Sequence, residues 1–270
     1  MQKIWYGILF IFIISISIFS YGIKSSLIIT ESWPRDKITN SKEQPYSLTE
    51  DTIKVIQNKD QISILVLGDS LARGTGDETG YGFTGHFANY LEQNTNKKVN
   101  VIKAAINGQL SSELLSQINQ QNVSQLVKNS DVIIISTGGN DILKNFHSVE
   151  SINETLFYEV EDRYLKNLTS ILNNINSINP NAYMIFLGLY NPLDLNKIKK
   201  QHLNLLLEWN YKTKLLVESY QNSTFIPSYD LFKYNRDKYI SIDDIHPNSK
   251  GYKAIADRII KIIGNILTKK

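Results

Sequence analysis

"ILVLGDSLARGTGDETG" (residues 64–80) carries an apolar run straight into Gly68, Asp69 and Ser70 and then into a glycine-studded loop. A short run of Ile, Leu and Val with no polar face reads as a strand covered on both sides, as strands of parallel sheets are. Ser70 behind it is a nucleophile, part of a phosphate cradle, or a turn residue, and the surrounding chain has to decide.

Outward from that strand the same pattern repeats. "ISILVL" (62–67), "VNVIKA" (99–104), "DVIIIST" (131–137), "AYMIFLG" (182–188) and "STFIP" (223–227) read as buried strands. Helical spacing of apolar residues fills the intervals at 85–94, 111–129, 150–179 and 196–221, and again at 249–267. Strand and helix alternate five times, which implies right-handed crossovers and helices on both faces. The expected fold is α/β: a flavodoxin-like three-layer αβα sandwich with a five-stranded parallel sheet. Such sheets bind ligands beyond the carboxyl ends of their strands. Ser70, Gly108, the Gly139-Asn140-Asp141 turn and "LYNP" (189–192) follow strands one to four, so all open on one edge.

The 270 residues suit one domain with appendages. Hydrophobic content of 42% and charged content of 20% are ordinary for a globular protein. A mean hydropathy of -0.22 excludes a multi-span membrane protein. A net charge of +3 without a basic stripe gives no reason to expect a nucleic-acid partner. With no cysteine, disulfides, thiolate nucleophiles, zinc-thiolate sites and a lipidated N-terminal cysteine are excluded.

At the N-terminus, residues 1–24 hold Lys3 and then no charge until Lys24. An apolar run of about 20 residues is enough to cross a hydrocarbon core as a helix. It reads as an uncleaved signal-anchor, or as a signal peptide cleaved near Ser15, Ser17 or Ser20. The expected location is the cell membrane with the catalytic part outside, or secretion after cleavage. Residues 25–60, with Pro34 and Pro45, read as a connector holding a short helix at 48–57 capped by Thr49. Residues 61–268 form the expected domain, acting as a monomer.

Four histidines could serve Ser70 as a base. His86, His147 and His202 fall in helices or a loop where packing explains them. His246 differs, because "SIDDIHPNSKGY" puts Asp243 three residues ahead of it and Pro247 behind. A carboxylate there can hold the ring nitrogen that faces away from the serine, with Asp244 the rival. Asn140 in "STGGND" offers an amide to an oxyanion, though the same stretch suits a glycine turn with an Asx cap. A phosphate cradle lacks G-x-G-x-x-G and Gly-Lys-Ser/Thr, and an α/β-hydrolase elbow lacks its final glycine. Tyr81, Phe83, Tyr190 and Pro192 are candidates to line a pocket, though aromatic residues at strand ends are as often packing.

Taken together, "GDSLARG" (68–74), Gly108 in "INGQLS", "GGND" (138–141) and "DDIHPN" (243–248) resemble the SGNH hydrolases, or GDSL lipases and esterases. The resemblance spans residues 61–268, and the "DSLARGTGDETG" and "LGLYNP" stretches are similar to membrane-anchored lipase-like acylhydrolases of Gram-positive bacteria. It implies a serine esterase cleaving ester-linked acyl groups from a lipid or cell-wall carbohydrate. Ser70 would be nucleophile, His246 base and acid, and Asp243 its orienting partner. The Ser70 and Gly108 N–H groups and the Asn140 amide would form the oxyanion hole, without metal or cofactor. The family often carries Asn-x-Gly ahead of the second-loop glycine, where this chain has Lys103-Ala104-Ala105 before Ile106-Asn107-Gly108. Residues 74–82 would then be a flexible rim beside the acyl pocket. The competing function is a non-catalytic module of the same fold that binds acyl groups at the cell surface.

Overall fold

The computed structural model describes residue 56, residues 58–146, residue 148 and residues 151–268. The N-terminal apolar run, nearly all of the 48–57 helix and His147 lie outside the described residues.

Five strands form one parallel sheet: β1 (Gln61–Gly68), β2 (Lys98–Ala105), β3 (Val132–Ser136), β4 (Tyr183–Leu187) and β5 (Ser223–Ile226). Their order is β2-β1-β3-β4-β5, with all four pairings parallel. From β1 the chain moves outward to β2 and then jumps back across to β3. Crossovers leaving β1 and β3 therefore run to opposite faces, which opens a crevice at the carboxyl ends of those two strands. Ser70 follows one of them and Asn140 the other.

The side-chain period of two divides each strand between two cores. Ile62, Ile64 and Val66 of β1 pack with Ile134 and Ile185 under α2 (Gly82–Thr95) and α10 (Ser249–Ile259). Leu65 and Leu67 pack with Ile133, Ile135 and Met184 under α3 (Ser111–Ile118), α4 (Gln121–Lys128), α6 (Glu154–Ile178) and α7 (Lys200–Val217). These are the three expected layers. Short helices α1 (Ser70–Arg73), α5 (Gly139–Asn145), α8 (Tyr229–Lys233) and α9 (Arg236–Tyr239) sit in the connections, and α11 (Asn265–Thr268) closes the chain. Ile56 is buried in the first core and Lys59 pairs with Asp131, so contacts reach back into the stretch read as connector.

Two expectations change. The stretch "VNVIKA" is not buried on both faces: β2 is an edge strand, with Lys98, Asn100, Ile102 and Lys103 exposed. The helical stretch 111–129 is two helices that break at Asn119 and Gln120, where Asn174 of α6 donates to the Asn119 side chain at 2.9 Å.

Candidate active site

The site begins where β1 stops. Gly68 has φ +120°, and a Cβ there would stand 1.7 Å from the Ser136 carbonyl oxygen. Only a residue without a side chain lets β1 and β3 close at this point. The next backbone N–H, Asp69, donates to that carbonyl at 3.1 Å. Asp69 then caps α1: its Oδ1 accepts from Leu71 N at 3.1 Å and from the Ser136 hydroxyl at 2.9 Å. Ser70 is thereby fixed as the first residue of a helix, where its own N–H has no intrahelical acceptor.

Burial pushes the Asp69 carboxyl up to about 6, against hydrogen bonds from Ser136 and the backbone that favour its ionised form. The unfolded carboxyl ionises near 3.8. Between those values the folded state binds more protons, so stability falls as pH rises from about 4 to about 6 and is level beyond. Asp69→Asn keeps a capping oxygen and removes the charge. The variant is expected to exceed the wild type by up to roughly 3 kcal/mol at pH 8 and to match it near pH 4. Urea unfolding at the two pH values measures this, and an equal difference at both would contradict it.

On the far side of the crevice the chain between α9 and α10 brings His246 to Ser70. His246 Nε2 lies 2.7 Å from Ser70 Oγ, and Nδ1 lies 2.6 Å from Asp243 Oδ2. A carboxylate can only accept, so Nδ1 carries the proton and Nε2 is left to accept from the serine. Asp243 Oδ1 accepts from Ser241 Oγ, His246 N and Ile245 N at 2.7, 2.8 and 3.0 Å. Burial works to raise the Asp243 carboxyl, and these bonds together with the His246 ring outweigh it, holding it well below the usual carboxylate range. The rival Asp244 turns away at φ +61° and accepts from the Arg236 guanidinium at 2.7 Å. Arg236 Nε also donates to the Pro192 carbonyl at 2.7 Å, tying the loop after β4 to the histidine loop.

Asn140 sits at the second position of α5, and its Nδ2 donates one hydrogen to the Gln109 carbonyl at 3.1 Å. That bond ties the loop after β3 to the loop after β2 and leaves the other amide hydrogen free for a ligand. Gly108 lies in the exposed turn beside Gln109, and among the described residues no protein acceptor takes its N–H. Gly108 does not itself line the cavity described below. The missing Asn-x-Gly is replaced by other bonds: Ile106 N to Gly68 O at 2.8 Å, Thr75 Oγ1 to Asn107 at 3.0 Å, and Gln117 Nε2 to Ala104 O at 2.8 Å. Asp141, to which the sequence reading gave no role, accepts from the Ser111 N–H and hydroxyl at 3.0 and 2.6 Å. It holds the start of α3 against α5.

Ser70, Asn140 and His246 open on one cavity of about 330 Å³. Its walls are mostly apolar: Ile142, Leu143 and Phe146 from α5 and its end, Phe157 from α6, Ile198 and Leu206 from around α7, and Leu189, Tyr190, Pro192 and Leu193 from the loop after β4. Tyr190 and Pro192 line it as expected. Tyr81 and Phe83 do not: Tyr81 covers Gly85 and faces the His86 ring, and Phe83 is buried in the core against Tyr252. His202 is buried in the cavity wall, away from the serine-histidine contact. Residues 74–82 do not line the cavity. They brace the histidine loop from behind: Gly76 abuts His246 Cβ, Glu78 accepts from Ser249, and Tyr252 Oη donates to Thr75 O at 2.7 Å. Among the described residues no group of three or more His, Asp or Glu could hold a metal ion.

A model of the GDSL-like lipase/acylhydrolase family matches residues 66–254. The chain is 32% identical over 199 residues to the spore germination lipase LipC of Bacillus licheniformis, covering 72% of this chain and 92% of that protein. Its fold is similar to the lipase Lip_vut3 from a goat rumen metagenome, with TM-score 0.69 and 29% identity over 74% of this chain and 97% of that one. It also shares the fold of the acetylxylan esterase Axe2 of Geobacillus stearothermophilus, at TM-score 0.58 and 17% identity over 75% and 94% of the two chains. The family model covers the carboxyl end of β1, all of β3 and the serine and histidine that meet across the crevice, and on that extent the chain belongs to the GDSL-like lipase/acylhydrolase family and is a carboxylic ester hydrolase.

Proposed function

We propose that the chain cleaves esters of aliphatic acyl groups, from a lipid or a cell-wall carbohydrate, through an acyl-serine. The observation that carries this is the relay from Asp243 through His246 to Ser70, at 2.6 and 2.7 Å, opening on an apolar cavity. Ser70 Oγ attacks the ester carbonyl carbon as its proton passes to His246 Nε2. The oxyanion is held by the N–H groups of Ser70 and Gly108 and the free Asn140 amide hydrogen. The imidazolium, steadied by Asp243, returns the proton to the departing alkoxide, and water repeats the sequence on the acyl-serine. Ser70, Asp243, His246, Asn140 and Gly108 are all present in the chain, which argues against a non-catalytic binding module.

Apolar walls favour a chain longer than acetyl, since each methylene taken from water into the cavity contributes about 0.8 kcal/mol. In a series of soluble p-nitrophenyl esters, kcat/KM is expected to rise several-fold from acetate to hexanoate. A series that peaks at acetate would overturn the lipid-chain assignment in favour of O-acetyl esters.

The run at residues 1–24 supports a further proposal, that the domain is held at the outer face of a membrane. Among the described residues no helix is long and apolar enough to cross one. Membrane fractionation is expected to recover the full-length chain with the membranes, against a freely secreted product about 20 residues shorter.

A further inference from the structure

The mouth of the cavity is ringed by large apolar side chains that stand exposed among the described residues. Leu143, Leu193 and Ile245 line the cavity yet are 56%, 38% and 45% exposed. Beside them, outside the cavity, Tyr234 is 78% exposed and Ile242 stands fully clear of the protein. They come from the loops and short helices after β3, β4 and β5, which the fold gathers at one edge of the sheet. Their exposure is therefore shared by several loops around one opening, which scattered surface residues would not be.

Charge is distributed around the same ring. Lys144 adjoins Leu143, Lys199 and Lys200 follow the cavity residue Ile198, and Lys233 and Lys238 flank a surface depression that shares Leu193 with the cavity. Among the described residues none of these five lysines has a carboxylate partner; Lys233 and Lys238 lie over tyrosine rings. The carboxylates nearby bond to other groups. Asp194 accepts from Asn196 N, and Asp237 and Asp244 from Arg236. An apolar ring inside unpaired cations matches a surface whose interior is hydrocarbon and whose face carries phosphate.

We propose that this rim docks on the face of an anionic phospholipid bilayer, so that an acyl ester passes from the lipid to Ser70 without crossing water. The second half rests on the ester-hydrolase mechanism proposed above; the docking does not. Ile242 and Tyr234 would enter the headgroup region, and the lysines would lie against lipid phosphates.

Because residues 1–24 can associate with lipid by themselves, the test on the full chain must read the rim locally. Ile242→Trp, in the chain reconstituted into vesicles of brominated phosphatidylglycerol, is expected to lose at least half of its added emission. Lys128→Trp, exposed at the opposite edge of the sheet, is expected to lose none. The quenching should fall severalfold in brominated phosphatidylcholine, and in a Lys233→Gln/Lys238→Gln background. Tyr234→Ser/Ile242→Ser should hydrolyse phosphatidylglycerol in vesicles about tenfold more slowly than the wild type, while its turnover of soluble p-nitrophenyl butyrate stays within twofold. Equal quenching at positions 242 and 128, or equal quenching by the two lipids, overturns the proposal. So does an equal loss on vesicles and on the soluble ester. A wild type that cleaves neither ester defeats the mechanism instead and leaves the quenching result to stand alone.

Discussion

Ser70→Ala is expected to lower hydrolysis of soluble p-nitrophenyl esters by roughly 10⁴ to 10⁶-fold with the fold intact. The size follows from the way the relay works as a unit. On the proposed mechanism there is no acyl-serine without Oγ, and His246 is left to activate water from a place set by a missing atom. The fold survives because the one side-chain hydrogen bond of Ser70 is to His246, and alanine is a good helix former. Circular dichroism and the thermal midpoint should match the wild type. Wild-type turnover in that variant would remove Ser70 from the attacking role, whatever its distance to His246.

Gly68→Ala, two residues earlier, is expected to act through stability. A methyl group cannot occupy a place 1.7 Å from the Ser136 carbonyl oxygen, and φ of +120° is closed to alanine as well. β1 and β3 would have to part at their carboxyl ends, breaking the Asp69 N–H bond to Ser136 and the pairing of Gly68 with Ser136. The cost is expected to exceed about 4 kcal/mol, in the range reached only by strain or disruption of the core. For a domain of this size that lowers the thermal midpoint by about 8–16 °C. Gly108→Ala is the comparison: it shares a positive φ, at +76°, but a Cβ there meets open space, so the difference between the two variants isolates the clash with Ser136. Near-equal midpoints for the two variants would show that the close approach of β1 to β3 is tolerated.

The strands were legible because β-branched residues packed from both faces leave short, uniform apolar runs. Only β2 misled, since "VNVIKA" was read whole although Asn100 and Lys103, three apart, put a polar residue on each face, as an edge strand allows. The pair Asp243 and His246 was legible because three residues and one tight turn suffice to double a carboxylate back onto a ring. The cavity was not, because its walls come from α5, α6 and α7, and which side of each helix faces Ser70 is decided by packing between elements distant in sequence. Residues 74–82 misled for a related reason. Glycines that read as freedom are there to let two loops touch, with Gly76 abutting His246 Cβ. Asp69 and Asp141 carried a local signal, an acid at the start of a helix, but their second partners Ser136 and Ser111 become visible only in three dimensions.

Ser70 and His246 are 176 residues apart, one behind the first strand and the other ahead of the last long helix. The pocket thus joins the two ends of the domain, and α10, which begins three residues after His246, packs in one core with α2. Closing so long a loop belongs to the slow, late part of folding, when entropy has already been spent on nearer contacts. On the proposed mechanism, ester cleavage therefore reports on the completeness of the domain, since the two reacting side chains come from its opposite ends.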